Sequence, residues 1–418
     1  MTDCRNKFHN TFPLPQPVRI ALERLNAHGY EAYCVGGCVR DYLMGFSPHD
    51  FDITTSAMPE ETVGCFCDFR VIETGLKHGT VTVIIDGEQL EITTFRTDGT
   101  YSDNRHPDNV TFTRSLSDDL SRRDFTVNAM AYSTKTGLCD MFLGREHLAQ
   151  KVICCVGDAR TRFGEDALRI LRALRFSSVL GFSIAKETSD AVFEKAELLR
   201  NISGERIFSE LSKLICGEDA EKIIKDYRTV FEIIFPALCE YSDSIYSLAA
   251  KSISMCEKNT VLRYAAWFYN MKPDTASGLL RSLNCDKYTS TTVKSLITFK
   301  NQPDALSDTD ITGIKKFISS HSYDFARLLL NLCYSISLSE GNENKAEKIK
   351  KIIDITYALE KQDTCLFIKD LAVGGDDLMR IGVSQGAQVG KVLAYLLESV
   401  IEGKVRNTKE DLIKYLSL

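Results

Sequence analysis

The sequence predicts an α+β protein in which a segment of strands and helices comes first and a purely helical segment follows. Two stretches rich in Val, Ile and Thr, Gly79–Asp86 and Gln89–Arg96, flank the dipeptide Asp86-Gly87, which is a strong β-hairpin signal. The last strand-like piece is Lys151–Gly157, and the residues after it have the apolar periodicity of helices. We therefore expect a first domain that contains all the strands, followed by helical domains.

Length, composition and charge are those of a globular protein with several domains. A chain of 418 residues is long enough for about three domains, each with its own core. Its 44% hydrophobic and 26% charged residues are ordinary for a globular chain. The net charge of −6 argues against a generally basic surface, but it leaves room for local basic patches that bind phosphate.

The fourteen cysteines are expected to be reduced thiols. Many lie in apolar runs, and no C-x-x-C pair indicates a zinc site. The start of the chain is polar and proline-rich, unlike a secretory leader, and no uncharged stretch approaches the ~18 residues of a membrane helix. These observations predict a cytoplasmic protein without a membrane segment.

The stretch Tyr33–Ile53, YCVGGCVRDYLMGFSPHDFDI, carries the functional prediction. It is expected to form a short strand, a turn at Gly36 and Gly37, and a helical start that contains Arg40. Glycines let backbone N–H groups approach a phosphate closely, and a guanidinium can bind two phosphate oxygens at once. A Gly-Gly pair alone is usually only a turn, so the prediction depends on the ordered set of glycines, arginine and the acids that follow.

Two carboxylates come next, at Asp50 and Asp52. A strand's period of two places both on one face, where they repel each other unless a cation lies between them. Oxygen ligands with room for phosphate oxygens favour Mg²⁺. Glu91 by itself could be a solvent-facing residue of an edge strand, but on a strand beside these acids it would be the third carboxylate of a metal-dependent site. The set suggests nucleotidyl transfer.

A second basic segment is Leu120–Tyr132, LSRRDFTVNAMAY. One of its paired arginines can bind a triphosphate, and Asp124 can accept a hydrogen bond from a ribose hydroxyl. The polar segment Asp98–Asn109 before it is expected to be a surface loop, either a lid or a connector.

The segment Phe163–Arg175 is expected to form one helix with a polar stripe of Asp166, Arg169, Arg172 and Arg175. The stripe could consist of i,i+3 salt bridges on a solvated helix, but the segment has more arginines than its acids can pair. The Asp166 carboxylate can accept a hydrogen bond and the Arg169 guanidinium can donate one. Cytosine and adenine offer the matching pair, an exocyclic amine donor beside a ring-nitrogen acceptor. Guanine and uracil present the reverse pattern, and such a mismatch discriminates strongly.

Taken together, these segments resemble the bacterial class II CCA-adding tRNA nucleotidyltransferases, in the polymerase-beta-like nucleotidyltransferase superfamily. The motifs, in family order, are VGGCVRD, DFDI, LEITTFRTDGTY, RRDFTVNAMAY, DMFLG, GEDALRILRALRF and a C-terminal DLAVGGDDLMRIGVSQGAQVGKVL. The resemblance spans nearly the whole chain. It implies a polymerase-beta-like nucleotidyltransferase head with a small mixed sheet at 1–150, followed by an all-α neck that recognises the base at 151–208, a body at 209–340 and a tRNA-binding tail at 341–418.

The resemblance also implies a role for each motif residue. Asp50 and Asp52 would hold two Mg²⁺ ions, and Glu91 would complete the catalytic set. The residues expected to contact the nucleotide are Gly36, Gly37, Arg40, Arg123, Asp124, Asp166, Arg169, Arg172 and Arg175. Asp140 and Gly144 fall where the family has its hinge between head and neck.

The implied reaction is template-independent addition of C, C and A to the 3′ end of tRNA. The tRNA 3′-hydroxyl would attack the α-phosphorus of CTP or ATP and release pyrophosphate, while the helical domains hold the acceptor and TΨC arms. No obligate protein partner is expected. An A-adding enzyme and a poly(A) polymerase share the head motifs, whereas a catalytically silent RNA-binding protein is expected to lack one of the three carboxylates, which are all present.

Overall fold

The computed structural model describes most of the chain. The described residues are 12–48, 50–73, 75–99, 109–362 and 364–416. The chain divides into two compact units, residues 1–240 and 241–418. The first unit contains every strand that the structure describes, together with the helices of the predicted neck. The division into head, neck, body and tail stays a prediction.

The strands form one main sheet and two small ones. The strands are β1 (Ala32–Val35), β2 (Asp52–Thr55), β3 (Arg70–Ile72), β4 (Thr80–Ile85), β5 (Glu88–Thr94), β6 (Arg96–Asp98), β7 (Val110–Phe112), β8 (Met130–Ser133), β9 (Gly137–Asp140), β10 (Val152–Ile153) and β11 (Ser183–Ile184). Seven of them make a mixed sheet in the order β3-β4-β5-β2-β1-β8-β9. Within it β2 and β5 run parallel, and the other neighbours pair antiparallel.

Helices make up the rest of both units. The first unit contains α1 (Gln16–Ala27), α2 (Gly37–Leu43), α3 (Pro59–Cys65), α4 (Leu116–Ser121), α5 (Gly144–Gln150), α6 (Ala159–Glu165), α7 (Leu168–Leu180), α8 (Lys186–Lys195), α9 (Gly204–Ile215), α10 (Ala220–Asp226) and α11 (Arg228–Ile234). The second contains α12 (Asp243–Met255), α13 (Thr260–Trp267), α14 (Pro273–Ser282), α15 (Lys287–Phe299), α16 (Ile311–His321), α17 (Tyr323–Ser339), α18 (Glu343–Lys361), α19 (Gly375–Arg380), α20 (Ala387–Ile401) and α21 (Lys409–Leu416). The predicted α+β class, a mixed sheet followed by helices, is confirmed.

The two faces of the main sheet have different cores. Alternate residues of a strand point to opposite faces, and Cys34 of β1 and Ile53 of β2 belong to the larger apolar cluster. Tyr33 and Val35 belong to a smaller cluster on the other face. Because Asp52 precedes Ile53 by one residue, its side chain lies on the face of the smaller cluster, where a site can form beside solvent.

The hairpin predicted at Asp86-Gly87 is confirmed. Both residues have positive φ, 52° and 85°, as the tight turn between β4 and β5 requires. The predicted loop Asp98–Asn109 starts and ends at the antiparallel pair β6–β7, in which Asp98 faces Val110. Residues 100–108 of that loop lie outside the described residues.

The single helix predicted across Phe163–Arg175 is wrong. Helix α6 ends at Glu165 and α7 begins at Leu168, with Asp166 extended at φ −132° and ψ 103°. The Asp166 side chain accepts a hydrogen bond from the Leu168 amide at 3.1 Å. A short acidic side chain that binds a nearby backbone amide competes with helix continuation, and this contact accompanies the break.

Two further sequence predictions concern cysteines and membranes. Every cysteine that the structure describes carries a free thiol. Among the described helices, none has the length and apolar character needed to cross a bilayer.

Candidate active site

Sheet pairing brings the predicted carboxylates together. In the parallel pair β2–β5, Ile53 faces Ile92, so Asp52 and Glu91, one residue earlier in each strand, are neighbours on the same face. Asp50 lies just before β2 rather than within it. All three carboxylates are exposed, at the edge of the face that carries the smaller apolar cluster.

The electrostatics of Asp52 reflect this crowding. The protein around the carboxyl partly desolvates it, and this desolvation is the largest cause that raises its pKa. The negative charge of Asp50 raises the pKa further and Glu91 adds a smaller contribution, while the Arg123 guanidinium acts in the opposite direction. A raised carboxyl pKa among like charges indicates a position where a cation would be stabilising.

The donor set fits a divalent cation whose coordination is completed by substrate. Asp50 and Asp52 offer carboxylate oxygens, which Mg²⁺ prefers, and Mg²⁺ is usually bound through one or two carboxylates together with waters and phosphates. Within the described ranges, no three His, Cys, Asp or Glu side chains are grouped as a complete metal site. The two aspartates would therefore hold such an ion only in part.

The glycine turn lies against an arginine. Gly36 has φ +79°, and a Cβ atom built there would lie 3.3 Å from Nη1 of Arg123. A side chain at this position would therefore be strained and would crowd the guanidinium. Arg123 Nε is buried and has no hydrogen-bond partner among the described residues. Arg123 can therefore donate a further hydrogen bond, and it lies beside the glycine turn that begins α2. A phosphate site requires such donors close together.

Arg123 is held from behind by Asp119, a residue that the sequence analysis did not single out. Asp119 is fully buried on α4, and its oxygens accept from Arg122 Nη2 at 2.7 Å and from Arg123 Nη2 at 3.3 Å. Thr54 Oγ1 of β2 lies 3.3 Å from the same carboxylate. Burial opposes ionisation of Asp119, but the two guanidiniums overcome it and lower its pKa. The i,i+3 and i,i+4 spacing to the arginines was the available sequence signal.

Arg40 projects from α2 and is fixed on two sides. Its Nη1 donates to Asn128 Oδ1 at 2.6 Å, and its Nε donates to Asp41 Oδ1 at 2.9 Å. The guanidinium also lies over the ring of Phe176 from α7, 5.2 Å from its centroid. Asn128, inside the predicted RRDFTVNAM motif, is a second residue that the sequence analysis did not single out.

Asp124 is buried, and both of its oxygens have partners. Oδ2 accepts from Arg172 Nε at 2.8 Å and Nη2 at 2.5 Å, while Oδ1 accepts from the Phe125 amide at 2.8 Å and from Asn128 Nδ2 at 3.3 Å. Burial by itself would raise the pKa of Asp124, but the Arg172 guanidinium outweighs it and the pKa is lowered. A ribose hydroxyl, the predicted partner of Asp124, would have to share an oxygen that is already bonded.

Asp166 and Arg169, the residues predicted to recognise the base, have different partners in the structure. Asp166 pairs with Arg206 of α9, whose Nη2 lies 3.1 Å from Oδ2. Arg169 donates to Glu165 Oε2 at 2.6 Å and to the Arg122 backbone oxygen at 3.0 Å. Each of these two side chains is therefore fixed by an oppositely charged side chain. Arg206 is forty residues from Asp166, too far for local sequence spacing to indicate the pairing.

Arg172 and Arg175 extend the network along α7. Besides Asp124, Arg172 lies 3.9 Å from the buried Glu210, and Arg175 Nε lies 2.5 Å from Glu210 Oε2. Both guanidiniums lie near the ring of Phe176, at 5.4 and 3.8 Å from its centroid. These arginines are thus part of the packing of α7 as well as candidates for ligand binding.

Comparison with protein families finds three matches along the chain. Residues 32–154 match the family described as the poly A polymerase head domain. Residues 181–242 match a probable RNA and SrmB-binding site of polymerase A. Residues 258–416 match a family described as tRNA nucleotidyltransferase domain 2, putative.

Individual proteins resemble the chain over nearly its whole length. A CCA-adding enzyme of Leuconostoc citreum is 35% identical over 410 residues, which are 97% of this chain and 95% of that protein. The crystal structure of the Bacillus stearothermophilus CCA-adding enzyme in complex with CTP has a TM-score of 0.74 at 29% identity and covers 97% of this chain and 98% of its own. A Thermotoga maritima CCA-adding enzyme complexed with tRNA is 20% identical, with a TM-score of 0.66 over 96% of this chain and 94% of its own, and shares the fold.

The buried pair of Asp124 and Arg172 generates a stability prediction. Arg172→Gln leaves a buried carboxylate without its cation, and we expect the local free energy of opening around α7 to fall by about 2 kcal/mol at pH 7. The pKa of Asp124 is lowered in the folded protein, so the pair stabilises above the ordinary aspartate pKa and this stabilisation is lost as pH falls through the lowered value. The difference between wild type and Arg172→Gln in the free energy of opening around α7 should therefore become smaller as the pH falls below the ordinary aspartate pKa.

Hydrogen–deuterium exchange of the α7 amides at pH 7 and near pH 3, below the ordinary aspartate pKa and corrected for intrinsic rates, measures the effect. The single tryptophan, Trp267, lies in the other unit, so its fluorescence would not report on α7. Arg160→Gln is the matched control, because Arg160 and its partner Glu194 are both about half exposed. Equal protection of α7 in wild type and Arg172→Gln at pH 7 would contradict the assignment.

Proposed function

The chain belongs to the CCA-adding enzyme family, and we propose that it completes the 3′ end of tRNA by adding C, C and A from CTP and ATP. The observation that carries the proposal is the pairing of β2 with β5, because it sets Asp52 beside Glu91 and within electrostatic reach of Arg123. One group of acids beside one phosphate-binding arginine is what transfer of a nucleotidyl group to a hydroxyl requires.

In this proposal, each group has one task. The turn at Gly36 and Gly37, with Arg40 and Arg123, binds the triphosphate and orients its α-phosphorus toward the incoming tRNA 3′-hydroxyl. The Gly36 amide already donates to the Met130 backbone oxygen at 3.2 Å, so the backbone donors are those that follow it at the start of α2. The unpartnered Nε of Arg123 supports this role, since a phosphate oxygen would satisfy it. The oxygen of the tRNA hydroxyl forms the new bond to phosphorus, and the bond to the pyrophosphate oxygen breaks.

We propose that Asp50 and Asp52 hold Mg²⁺ in a two-metal arrangement, with Glu91 next to them. A metal held there would supply charge that lowers the pKa of the attacking hydroxyl and offsets charge on the departing pyrophosphate. The carboxylates themselves contribute negative charge that keeps the cation in place and repels misplaced phosphate oxygens. Their clustering supports this proposal, because the pKa of Asp52 is raised by partial desolvation and then by the charges of Asp50 and Glu91.

The base is selected by Asp166 and Arg169, which Arg206 and Glu165 hold in place. The Asp166 carboxylate accepts from the exocyclic amine of cytosine or adenine, while the Arg169 guanidinium donates to the adjacent ring nitrogen. Uracil and guanine would place a carbonyl oxygen against the Asp166 carboxylate and a ring N–H against the Arg169 guanidinium, so neither hydrogen bond could form. Arg172, Arg175 and Asp124 support these groups and the ribose.

Extension of three tRNA transcripts, ending before CCA, after C and after CC, tests the activity at single-nucleotide resolution. With Mg²⁺, CTP alone should add two Cs to the first transcript, and CTP with ATP should then add one A and stop. Extension of the CC-ended transcript alone would identify an A-adding enzyme. A long A ladder on any RNA would identify a poly(A) polymerase, and either result would overturn the proposal.

Asp52→Asn should abolish addition of both C and A while leaving tRNA affinity unchanged. The amide keeps the shape of the side chain and removes the charge that holds the cation, and rate losses of at least about a hundredfold are expected for a required carboxylate. Extension rates and tRNA binding by filter retention measure the two properties separately. Asp86→Asn, at the exposed tip of the β4–β5 hairpin, removes the same charge away from the site and should extend tRNA normally. Comparable rates for Asp52→Asn and wild type would refute the metal assignment.

Asp166→Ala should relax base choice rather than abolish catalysis. Without the acceptor, cytosine loses a hydrogen bond and uracil loses a mismatch, so the preference for CTP over UTP should fall by at least about tenfold. Competing single-turnover extensions with CTP, ATP, UTP and GTP measure this preference. Asp190→Ala, on α8 and paired with Lys186, is the control and should keep wild-type selectivity. Unchanged rejection of UTP and GTP by Asp166→Ala would disprove the proposed role.

A further inference from the structure

Asn128 connects two parts of the candidate site that otherwise belong to separate elements. It ends the short 3₁₀ turn Thr126–Asn128, and its side chain is buried, with 7% of the residue exposed. Its Oδ1 accepts from Arg40 Nη1 at 2.6 Å, and its Nδ2 donates to Asp124 Oδ1 at 3.3 Å. One amide thus joins the arginine beside the glycine turn to the carboxylate that holds α7 through Arg172.

The chemistry of the bridge requires an amide. One end must accept from a guanidinium, and the other must donate to an ionised carboxylate. An aspartate at this position would set two carboxylates against each other, and an aliphatic side chain would leave both partners short of a hydrogen bond. The side-chain amide of asparagine satisfies both ends over the distance that the fold provides.

The alternative partner of Arg40 shows what the bridge prevents. Asp41, the next residue along α2, lies 2.7 Å from Arg40 Nη2 and also accepts from its Nε. Without Asn128, this carboxylate is the remaining side chain that accepts hydrogen bonds from Arg40 among the described residues. If Asp41 alone held Arg40, its carboxylate would offset the charge of the guanidinium. The two side chains could then change rotamer together. Asn128 counteracts this by holding Nη1 from the opposite side.

A second contact couples the same elements. The Arg40 guanidinium lies 5.2 Å from the centroid of Phe176, and the Arg172 guanidinium lies 5.4 Å from the same ring. Phe176 is buried, and cation–π attraction to its ring adds to the hydrogen bonds that hold the Arg40 guanidinium. The orientation of Arg40 therefore depends on α7, the helix that also carries the base-recognition residue Arg169.

We propose that Asn128 is a positioning residue for the nucleoside triphosphate, acting through Arg40 and tying its orientation to the Asp124–Arg172 pair. The inference rests on the proposed function, in which Arg40 contacts the phosphates. Asn128 touches no reacting atom; it sets where Arg40 points. The same bridge keeps the phosphate-binding and base-binding parts of the site at a constant separation.

Asn128→Ala tests the proposal without any change in net charge. The dissociation constants of CTP and ATP, measured by calorimetry with Mg²⁺ and without tRNA, should both rise about tenfold, as expected on losing a hydrogen bond to a charged group. The inhibition constant of pyrophosphate should rise by a similar factor, while the KM for tRNA stays at the wild-type value. Unchanged nucleotide and pyrophosphate constants, with kcat reduced only in proportion to the active fraction, would make Asn128 purely structural and overturn the proposal.

Thr126→Val is the matched control. Thr126 belongs to the same turn, is buried, and has its own polar contact, a 2.8 Å hydrogen bond with His147 Nδ1 that leads away from Arg40. It should change stability but leave the nucleotide constants within about twofold of wild type, since its lost contact does not touch the phosphate site. A tenfold effect in this control as well would mean that the turn, not the amide bridge, is responsible.

Two further experiments test the two contacts of Asn128 separately, the one with Asp124 and the one with Arg40. Asn128→Asp keeps an acceptor for Arg40 but opposes Asp124, so it should not restore pyrophosphate binding; wild-type binding would show that the link to Asp124 is irrelevant. In a double-mutant cycle, Asn128→Ala should raise the nucleotide dissociation constants little when Arg40→Gln is already present, because both changes remove phosphate binding by Arg40. Additive effects would overturn the proposal. Nucleotide binding is measured without tRNA, so a wild-type protein that binds CTP but fails to extend tRNA would count against the proposed function alone.

Discussion

The ion pair between Asp124 and Arg172 is the interaction on which the candidate site most depends. Asp124 follows the arginine pair on the segment after α4, and Arg172 lies in the first half of α7. A carboxylate this deeply buried is stable only with a cation and hydrogen bonds at both oxygens, and the fold supplies them. The pair thereby fixes α7 against the strand-containing part of the first unit, and with it Arg169, one of the residues proposed to recognise the base.

The charges of the site are arranged so that like charges cluster and opposite charges hold them in position. The acids on β2 and β5 crowd one another, and the pKa of Asp52 is raised by partial desolvation and by that crowding. The arginines, in contrast, are each backed by a buried or half-buried acid: Arg123 by Asp119 and Arg169 by Glu165. Side chains held in this way lose little conformational entropy when a ligand binds, which is the physical basis of preorganisation.

Local rules predicted the parts of this arrangement that depend on neighbouring residues. The Asp86-Gly87 turn, the strands on either side of it and the glycine turn at Gly36 follow from backbone preferences that a few residues determine. The break at Asp166 could not be predicted from the apolar periodicity, which continues through it. The acid's contact with the Leu168 amide is a local competitor of the helix, and its pairing with the distant Arg206 is a tertiary contact that apolar periodicity does not indicate.

The sequence by itself determined the fold class, the order of the motifs and the kinds of side chain available for phosphate, metal and base. It also determined that Asp50 and Asp52 would be close, because only Phe51 separates them along the chain. Only the tertiary structure decided that Glu91 lies beside Asp52, and that Asn128 bridges Arg40 to Asp124. The physical reason is that strand order and long-range ion pairs are set by how whole elements pack, and spacing along the chain carries no record of that packing.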